Sequence, residues 1–372
     1  MKLLLTCGGT AGHVYPAVAL ARVFEKHYPD CRVLFVGADG GMELKLVEKE
    51  GYPIKTVTIS NFRRTLSPRQ WGHNLKSAWN VVASRRQAAA ILKDFGPDLV
   101  VGTGGYASFP CVRQAARMGI PTAIHESNAT PGLTTRTLAK EVDMVMVGFK
   151  EAVSHYEDPS KVKVTGTPVR PEFFAMSREE ARAKLGLTDD KPLVLSFWGS
   201  LGATVMNGEM VDFAARWLEE DKPFHHIHGA GRDFETMKQA LSDRGLDPEQ
   251  FDLRQYIYDM PVIMAAADIV LCRAGASTLS ELTATGKPAV IVPSPNVTAN
   301  HQYKNAKVLA DRGGAILIEE KDCTGAKLYD AVSGLLADGV KRENMRQAQL
   351  SIAVPTAAED IYEALSALLA KH

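Results

Sequence analysis

Three glycine-rich segments have the composition of loops that bind phosphate or sugar groups. They are Cys7-Gly8-Gly9-Thr10-Ala11-Gly12-His13, Gly102-Thr103-Gly104-Gly105-Tyr106-Ala107-Ser108 and Gly199-Ser200-Leu201-Gly202-Ala203. Glycine lets the backbone approach a ligand closely, and the exposed amides at a helix N-terminus attract anions. One such loop is common at a tight strand-to-helix turn. Three of them, divided between the two halves of the chain, favour a ligand rich in phosphate or sugar.

The first loop departs from two well-known nucleotide-binding patterns. Gly8, Gly9 and Gly12 do not have the G-x-G-x-x-G register, because the second glycine is misplaced. The loop also lacks the Gly-Lys-Ser/Thr ending of a nucleoside-triphosphate P-loop. Asp39 could serve as the acid that dinucleotide oxidoreductases carry after the second strand, but the glycine register argues against that class.

A fourth segment predicts a strand end, a glycine turn and a helix start. It reads Cys272-Arg273-Ala274-Gly275-Ala276-Ser277-Thr278-Leu279-Ser280-Glu281. Ser277 and Thr278 place hydroxyl groups beside the first amides of that helix, which suits a diphosphate. Glu281 follows Ser277 by one helical turn, where a carboxylate can accept both hydroxyls of a ribose. The alternative is that Ser277 is only an N-cap and Glu281 only complements the helix dipole.

The residues around these loops predict alternating strands and helices. Strand-like apolar runs in the first half are Leu3–Thr6, Val33–Val36, Ile54–Ile59, Leu99–Val101, Thr122–His125, Met144–Val147 and Val162–Thr165. Those in the second half are Leu193–Phe197, Phe224–Ile227, Asp252–Gln255, Ile269–Leu271, Ala289–Val292 and Ala315–Ile318. Helix candidates between them are Pro16–Lys26, Glu43–Glu50, Trp71–Lys93, Met206–Leu218, Phe234–Asp243, Ser277–Thr285 and Gln302–Asp311.

Apolar runs without in/out alternation indicate parallel strands that are covered on both faces. The best linker candidate is Gly166-Thr167-Pro168-Val169-Arg170-Pro171, which contains a glycine and two prolines. We therefore predict an α/β protein with two doubly wound (Rossmann-like) domains facing across a cleft. The predicted domains are 1–166 and 167–355, and a C-terminal helix at 356–372 is expected to pack back on the first. Functional loops should follow the carboxyl ends of the strands.

Composition excludes several classes of protein. The 372 residues include 43 Lys and Arg and 43 Asp and Glu, which argues against a nucleic-acid-binding protein. The balance hides opposed halves, because residues 1–165 carry 21 basic and 14 acidic side chains and the remainder 22 and 29. Five scattered cysteines without a C-x-x-C pair argue against a metal site or a disulfide framework. No apolar run is long enough for a signal peptide or a membrane-spanning helix.

Seven motifs follow one another in order along the chain. They are Gly8-Gly9-Thr10-Ala11-Gly12-His13, Gly104-Gly105-Tyr106-Ala107-Ser108, His125-Glu126-Ser127-Asn128, Gly166-Thr167-Pro168-Val169-Arg170, Gly199-Ser200-Leu201-Gly202-Ala203, Arg273-Ala274-Gly275-Ala276-Ser277-Thr278-Leu279-Ser280-Glu281 and Asn300-His301-Gln302. Together they closely resemble the motifs of the bacterial peptidoglycan glycosyltransferases that convert lipid I to lipid II. These enzymes add N-acetylglucosamine to undecaprenyl-pyrophosphoryl-N-acetylmuramyl-pentapeptide. One departure is Ala11, where many relatives have glycine.

The resemblance implies an inverting, UDP-N-acetylglucosamine-dependent hexosyltransferase of B-type architecture, with no metal and no other cofactor. The first domain would bind the acceptor and the membrane, and the second the donor. By position, Ile257 would meet the uracil through its backbone, Glu281 the ribose and Gln302 the donor sugar. The remaining donor contacts implied are Ser200, Ala276, Ser277, Thr278, Leu279 and Ser280 from the second domain, Arg170 beside the linker, and Thr10, Ala11, Gly12 and Asn128 from the first domain.

Transfer to the C4 hydroxyl of muramic acid needs a general base near the nucleophile and stabilisation of the departing UDP. His13, at the tip of the first loop, and Glu126, after the fifth strand, are the titratable side chains of the N-terminal motifs that could accept the proton. A structural role is the alternative for each. Tyr106 is the candidate for positioning the acceptor.

A lipid acceptor implies a surface that binds anionic membranes. Residues 51–93 contain eight Lys and Arg and no Asp or Glu, and Trp71, Leu75, Trp79 and Val82 fall on one face of the predicted helix. Tryptophan and aliphatic side chains flanked by arginines are typical of a headgroup-layer surface. The alternative is a core-packing helix with a basic rim.

We expect the enzyme to be peripheral on the cytoplasmic face of the cell membrane, and to serve peptidoglycan synthesis, cell wall biogenesis, cell shape and cell division. Its partners would be UDP-N-acetylglucosamine, lipid I and an anionic membrane surface, with no nucleic acid. The rival enzymes are a diacylglycerol glycosyltransferase and a UDP-N-acetylglucosamine 2-epimerase. A non-catalytic membrane scaffold would have no use for three glycine loops.

Overall fold

The computed structural model describes residues 1–59, 71–199 and 201–372, and for residues 71–82 and Thr298 it describes the backbone alone. Within these ranges the chain forms two compact units. The first unit comprises Met1–Arg170 and Val354–His372, and the second comprises Pro171–Ala353. The chain therefore passes from the first unit to the second at the end of the glycine- and proline-containing segment 166–171.

A parallel sheet of seven described strands forms the centre of the first unit, in the order β3-β2-β1-β4-β5-β6-β7. The strands are β1 (Lys2–Thr6), β2 (Arg32–Ala38), β3 (Ile54–Val57), β4 (Leu99–Gly102), β5 (Thr122–Glu126), β6 (Met144–Val147) and β7 (Val162–Val164). The order reverses between β1 and β4, which pair directly. The loops that follow these two strands therefore meet at the switch point where open α/β sheets bind ligands.

Helices cover both faces of this sheet. The first five are α1 (Ala11–His27), α2 (Glu43–Lys49), α3 (Trp71–Phe95), α4 (Ser108–Arg117) and α5 (Leu133–Leu138). Successive residues of a strand point to opposite faces. Leu3 and Leu5 belong to a buried cluster with Phe24 of α1, whereas Leu4 belongs to another with Leu92 of α3. This explains why β1 has no polar position between its apolar residues.

The second unit repeats the plan with a parallel sheet of six described strands, in the order β10-β9-β8-β11-β12-β13. The strands are β8 (Leu193–Phe197), β9 (His225–Gly229), β10 (Asp252–Arg254), β11 (Ile269–Cys272), β12 (Ala289–Ile291) and β13 (Ile316–Leu317). Its order reverses between β8 and β11, which pair directly. A second switch point therefore lies at the carboxyl ends of those two strands.

The helices of the second unit pack on this sheet. They are α6 (Arg178–Lys184), α7 (Thr204–Glu219), α8 (Phe234–Asp243), α9 (Met260–Ala266), α10 (Ala276–Thr285), α11 (His301–Ala310), α12 (Gly325–Ala337) and α13 (Gly339–Leu350). One large buried cluster joins Phe213 of α7 and Tyr329 of α12 to Phe224, which precedes β9. The rings of Phe213 and Tyr329 meet edge to face, with centroids 5.4 Å apart.

The last helix, α14 (Ala357–Leu369), belongs to the first unit. Its residues Ile361 and Leu365 are fully buried in the cluster that contains Phe24 of α1. Polar contacts with the end of α1 add to this packing: Glu359 accepts a 2.6 Å hydrogen bond from Lys26 Nζ and also pairs with His27. The chain therefore returns to the first unit after it completes the second.

These two parallel-sheet units confirm the predicted fold class, and the differences are at the ends of elements. The helix predicted to begin at Pro16 begins at Ala11, so Pro16 lies inside α1 and leaves that helix one backbone amide donor short. The strand β3 ends at Val57 rather than Ile59, because the Thr58 amide donates to Gln87 Oε1 at 2.7 Å instead of to a strand. The strand β13 is only two residues long and pairs with a single neighbour, β12. Among the described residues no helix has the length and apolar character that crossing a bilayer requires.

Candidate active site

The loops after β1 and β4 interlock at the switch point of the first unit. Gly9, Gly104 and Gly105 have φ values of 84°, 109° and 81°, which side chains other than glycine rarely adopt. A Cβ atom at Gly105 would lie 2.0 Å from the Gly8 carbonyl oxygen, and one at Gly104 would lie 2.5 Å from His13 Nδ1. The glycines of both motifs are thus needed for packing of one loop against the other, whatever ligand they bind.

The imidazole of His13 is oriented by this loop pair. His13 lies in the first turn of α1, and its Nδ1 atom donates to the Thr103 carbonyl oxygen at 3.1 Å. The Thr103 hydroxyl donates in return to the His13 carbonyl oxygen at 2.6 Å. A neutral histidine that donates through Nδ1 has its lone pair on Nε2, which is the form that a general base requires.

Glu126, the second candidate base, is the last residue of β5 and is almost completely buried. Its Oε1 atom accepts hydrogen bonds from the backbone amide of Asn128 at 3.0 Å and from Asn128 Nδ2 at 2.8 Å. Its Oε2 atom accepts from the Gly132 amide at 3.0 Å. The carboxylate therefore organises the loop from Ser127 to Gly132 and fixes the side chain of Asn128.

His125, which precedes Glu126 in β5, is buried, and burial lowers its pKa, while a hydrogen bond to the Gly166 carbonyl oxygen opposes that shift. The strand β5, which ends in Glu126, pairs with β4, and the loop after β4 contacts His13 through Thr103. The structure therefore brings the two candidate bases to neighbouring strand ends of the first unit.

Tyr106 and Arg170 lie beside the same loop and helix. A Cβ atom at Gly9 would be 3.5 Å from the Tyr106 ring. Burial raises the pKa of Tyr106, and the charge of Glu43 acts in the same direction, so the phenol stays protonated and can donate a hydrogen bond. The Arg170 guanidinium lies 4.4 Å from the centre of the Tyr15 ring in a cation–π contact. Arg170 is thus held against Tyr15 in α1, the helix that begins at Ala11 with Thr10 as its N-cap residue and Gly12 in its first turn.

The switch point of the second unit is also built on glycine. Gly202 has a φ of 74°, and a Cβ atom there would lie 2.3 Å from the Ala230 carbonyl oxygen. The loop after β8 is therefore packed against the loop after β9 before α7 begins. Ser200, predicted to contact the diphosphate, lies outside the described residues.

The helix α10 begins directly after β11, with Gly275 as the N-cap residue. Its first turn contains Ala276, Ser277 and Thr278, so their amides are directed at the carboxyl edge of the sheet. Leu279 is fully buried and can offer a ligand only its backbone. Ser280 donates its hydroxyl hydrogen to the Ala276 carbonyl oxygen at 3.0 Å. Glu281 is half-buried one turn after Ser277.

Gln302 joins two loops at the same edge. Its Oε1 atom accepts hydrogen bonds from the amides of Ala274, at 3.3 Å, and Ser294, at 2.9 Å. Its Nε2 group is then the part of the side chain suited to donate to a hydroxyl. The preceding residues Ala299 and Asn300 have φ values of 54° and 52°. Such backbone strain outside glycine is typical of functional sites.

Ile257, after β10, is almost completely buried, and its side chain would contact a Cβ atom placed on Gly229 at 3.0 Å. Its side chain faces the protein, so a ligand could meet Ile257 through the backbone. Tyr258, the next residue, is 77% exposed.

Two charged residues near these loops have roles that the sequence does not indicate. Arg273 opens the sixth of the seven motifs, but its guanidinium is buried, donates to the Val292 carbonyl oxygen at 3.1 Å and pairs with Glu320. It braces the loop instead of presenting a charge. Glu43 is fully buried and contacts the first glycine loop. The sequence feature that could have indicated this contact is the glutamate at the start of α2, which closely follows Gly37, Gly40 and Gly41.

The alternating histidines of β9 are structural. His226 and His228 are buried and share the Ser196 hydroxyl, with 2.7 Å between the Oγ atom and each ring. Burial lowers the pKa of His226 to about 4 and that of His228 to about 3. Both rings are therefore neutral at physiological pH.

Two family models match this chain. The glycosyltransferase family 28 N-terminal domain matches residues 3–147, and the glycosyltransferase family 28 C-terminal domain matches residues 193–361. Both switch-point loops of the first unit lie in the first match, and those of the second unit lie in the second.

The chain is similar over its full length to enzymes named UDP-N-acetylglucosamine–N-acetylmuramyl-(pentapeptide) pyrophosphoryl-undecaprenol N-acetylglucosamine transferase. The enzyme of Acetivibrio thermocellus is 40% identical over 370 residues, which cover 99% of this chain and 98% of the relative. The enzyme of Desulforamulus reducens is 38% identical over 376 residues, which cover 100% of both.

Solved structures agree with this likeness. The crystal structure of Acinetobacter baumannii MurG matches with a TM-score of 0.73 and 26% identity, and covers 98% of this chain and 99% of its own. The UDP-GlcNAc 2-epimerase from Neisseria meningitidis matches with a TM-score of 0.68 over 99% and 100% of the two chains. At 15% identity, the epimerase shows a shared fold alone.

Proposed function

This chain belongs to glycosyltransferase family 28, and from that premise we propose that it transfers N-acetylglucosamine from UDP-N-acetylglucosamine to the muramic acid C4 hydroxyl of undecaprenyl-pyrophosphoryl-N-acetylmuramyl-pentapeptide. The reaction inverts the anomeric carbon and converts lipid I to lipid II in peptidoglycan synthesis. The observation that carries the proposal is the 38–40% identity over at least 99% of the chain to enzymes named for this transfer. The enzyme thereby serves cell wall biogenesis, cell shape and division.

In this proposal the second unit binds the donor. The amides of Ala276, Ser277 and Thr278 and the positive end of the α10 dipole hold the diphosphate, and Ser200 adds its hydroxyl. Glu281 accepts the ribose hydroxyls, and the Ile257 backbone meets the uracil. Their support is the start of α10 at the carboxyl edge of the sheet, where Ser277 and Thr278 are only partly buried.

The donor sugar and the remaining contacts use both units. Gln302 Nε2 donates to a sugar hydroxyl while Oε1 stays on the two loop amides. Arg170 approaches the nucleotide with its position fixed by Tyr15. Asn128, together with the helix start at Thr10, Ala11 and Gly12, contributes from the first unit.

The first unit binds the acceptor and supplies the base. His13 Nε2 takes the proton from the C4 hydroxyl as that oxygen attacks the anomeric carbon, and the bond from the anomeric carbon to UDP breaks with the electron pair leaving on UDP. The amides at the start of α10 stabilise the leaving diphosphate. Tyr106 donates a hydrogen bond to the acceptor sugar. Glu126, whose oxygens hold Asn128 and Gly132, acts on the reaction through the loop that it organises.

The lipid acceptor places the enzyme on the cytoplasmic face of the cell membrane as a peripheral protein. Trp71, Leu75, Trp79 and Val82 would face anionic lipid, and their side chains lie outside those that the structure describes. What supports the proposal is the helix that contains them, α3, and the eight basic residues without an acid between 51 and 93. Replacement of Trp71, Leu75 and Trp79 with Ser should weaken sedimentation with anionic vesicles and leave UDP binding unchanged.

The decisive test is product analysis with UDP-N-acetylglucosamine and a short-chain lipid I analogue. We expect equal amounts of UDP and of a β-linked disaccharide product. Release of UDP without a disaccharide would contradict the assignment. Conversion of the donor to UDP-N-acetylmannosamine, without any acceptor, would indicate a 2-epimerase instead.

A further inference from the structure

Glu43 is a fully buried carboxylate at the edge of the acceptor half of the site. It is the first residue of α2, and its side chain lies between the end of β2 and the loop after β1. Its Oε1 atom accepts a hydrogen bond from the Ala38 amide at 2.8 Å, which closes its own turn. Its Oε2 atom accepts from the Gly9 amide at 3.1 Å, which lies 34 residues earlier in the chain.

The backbone around this carboxylate approaches it unusually closely. A Cβ atom at Gly41 would lie 2.3 Å from Glu43 Oε1, one at Gly8 would lie 2.7 Å from the same oxygen, and one at Gly37 would lie 2.6 Å from Glu43 Cγ. Real Cβ atoms essentially never come this close. The loop after β1, the end of β2 and the turn after β2 therefore all pack against Glu43, and they can do so because each has a glycine at the contact.

The local turn does not need a buried charge. Closing a turn after β2 requires one acceptor, which a neutral side chain can supply, whereas a buried carboxylate is costly unless hydrogen bonds compensate it. The second oxygen accounts for the acid, because it reaches the loop that leads through Thr10 into the first turn of α1. That turn contains His13, and a Cβ atom on Gly9 would contact the Tyr106 ring at 3.5 Å.

We propose that Glu43 is a positioning residue for sugar transfer: through the Gly9 amide it holds the first glycine loop where His13 and Tyr106 meet the acceptor. The inference rests on the proposed function, because it assumes that this loop faces the acceptor hydroxyl. It assigns Glu43 no proton transfer. His13 remains the base, and the carboxylate acts through the backbone.

The principal test is Glu43→Gln, which keeps the shape and removes one acceptor. If the amide oxygen faces Ala38, the NH2 group faces the Gly9 amide, so that two donors oppose each other. We expect kcat with the lipid I analogue to fall about tenfold or more, because a small displacement of reacting groups is costly. The affinity for UDP, measured by calorimetry, should change much less than kcat, by about threefold at most, because the proposed contacts to the uracil, the ribose and most of the diphosphate are in the second unit.

A second variant displaces the same carboxylate while residue 43 remains glutamate. Gly41→Ala places a methyl group against Glu43 Oε1 and must displace it. It should also lower kcat, and in the double variant the two losses should not multiply, since both act through one contact. The matched control is Glu48→Gln, an exposed acid on the same helix, which should behave like the wild type.

Each outcome decides the matter. Wild-type kcat in both Glu43→Gln and Gly41→Ala would overturn the inference. So would a parallel fall in kcat and UDP affinity with a lowered melting temperature, because that pattern indicates general destabilisation. If Glu43→Gln does not fold, Gly41→Ala alone carries the test. Failure of the wild-type enzyme to form the disaccharide would refute the proposed function itself, which separates the two failures.

Discussion

The switch points of the two units are built from the same supersecondary unit but differ in their chemistry. In the first unit side chains dominate: His13 and Glu43 are fixed by hydrogen bonds to backbone groups far away in the sequence, and Glu126 by hydrogen bonds within its own loop. In the second unit, backbone dominates, because α10 begins at the sheet edge and Leu279 and Ile257 turn their side chains inward. Proton transfer needs a side chain, whereas a diphosphate needs amides and a dipole.

The largest loss of activity should come from substitutions of side chains in the first unit. His13→Ala removes the proposed base and should lower kcat about a hundredfold to ten-thousandfold without weakening UDP binding. Glu126→Gln should cost only about tenfold, because it exchanges one acceptor for a donor that faces the Gly132 amide. Both are measured with the lipid I analogue, and His155→Ala on an exposed histidine is the control. If Glu126→Gln is as damaging as His13→Ala, the roles of the two residues must be exchanged.

At the switch point of the second unit, an added negative charge should weaken UDP binding more than the removal of a hydroxyl group. Ser277→Asp places a negative charge at the start of α10 and should weaken UDP binding about tenfold or more. Ser277→Ala should weaken it no more than about threefold, because the amides and the dipole remain. Calorimetric titration with UDP measures both. Equal losses for the two variants would show that the hydroxyl, and not the helix terminus, holds the diphosphate.

A smaller change in KM should distinguish two roles of Gln302, namely holding the two loops together and binding the donor sugar. Gln302→Glu keeps acceptors for the Ala274 and Ser294 amides but removes the Nε2 donor. The new carboxylate lies beside the loop that leads into α10, so the affinity for UDP should fall as well, but by less than the rise of about two- to tenfold that we expect in the KM for UDP-N-acetylglucosamine. Gln302→Ala, which loses the brace as well, is the comparison variant. An equal rise in the UDP dissociation constant for Gln302→Glu would contradict the role in sugar recognition.

The smallest effect concerns stability of the first unit. Hydrogen bonds from Lys26 and His27 lower the pKa of Glu359, so this contact stabilises the folded protein above the unfolded pKa of glutamate and is lost as pH falls through the lowered folded value. Because the pair is exposed, Glu359→Gln should cost about 0.5 kcal/mol at pH 7. Thermal unfolding of both proteins should converge at acid pH. A difference that persists there would point to packing instead.

Local sequence patterns predict the loops because glycine has few other uses at such positions. Positive φ at Gly9, Gly104 and Gly202 can be anticipated from a glycine run after an apolar strand. The start of α10 is predicted to within one residue by the same reasoning, since the helix begins at Ala276, and the N-cap residue is Gly275 rather than Ser277. Each of these features depends on a few consecutive residues, so the order and spacing of those residues are enough to predict it.

Long-range contacts are what the residues alone did not reveal. The bond from Gly9 to Glu43 spans 34 residues and that from His13 to Thr103 spans 90, so neither leaves a spacing in the sequence. The ion pair of Arg273 with Glu320 spans 47 residues, so the buried bracing role of Arg273 could not be anticipated either. Two acids of the same type, Glu43 and Glu126, differ from their exposed counterparts only by what the fold places around them.

The return of α14 to the first unit has a consequence for how the protein is made. The apolar cluster around Phe24 includes Ile361 and Leu365, which are synthesised after all of the second unit. During translation one apolar face of α1 in the first unit therefore stays uncovered until the ribosome has synthesised Pro171–Ala353 and the residues of α14. Domains generally fold as they emerge, and exposed apolar surface favours aggregation. A premature stop near residue 354 should thus harm the half of the protein that is encoded first.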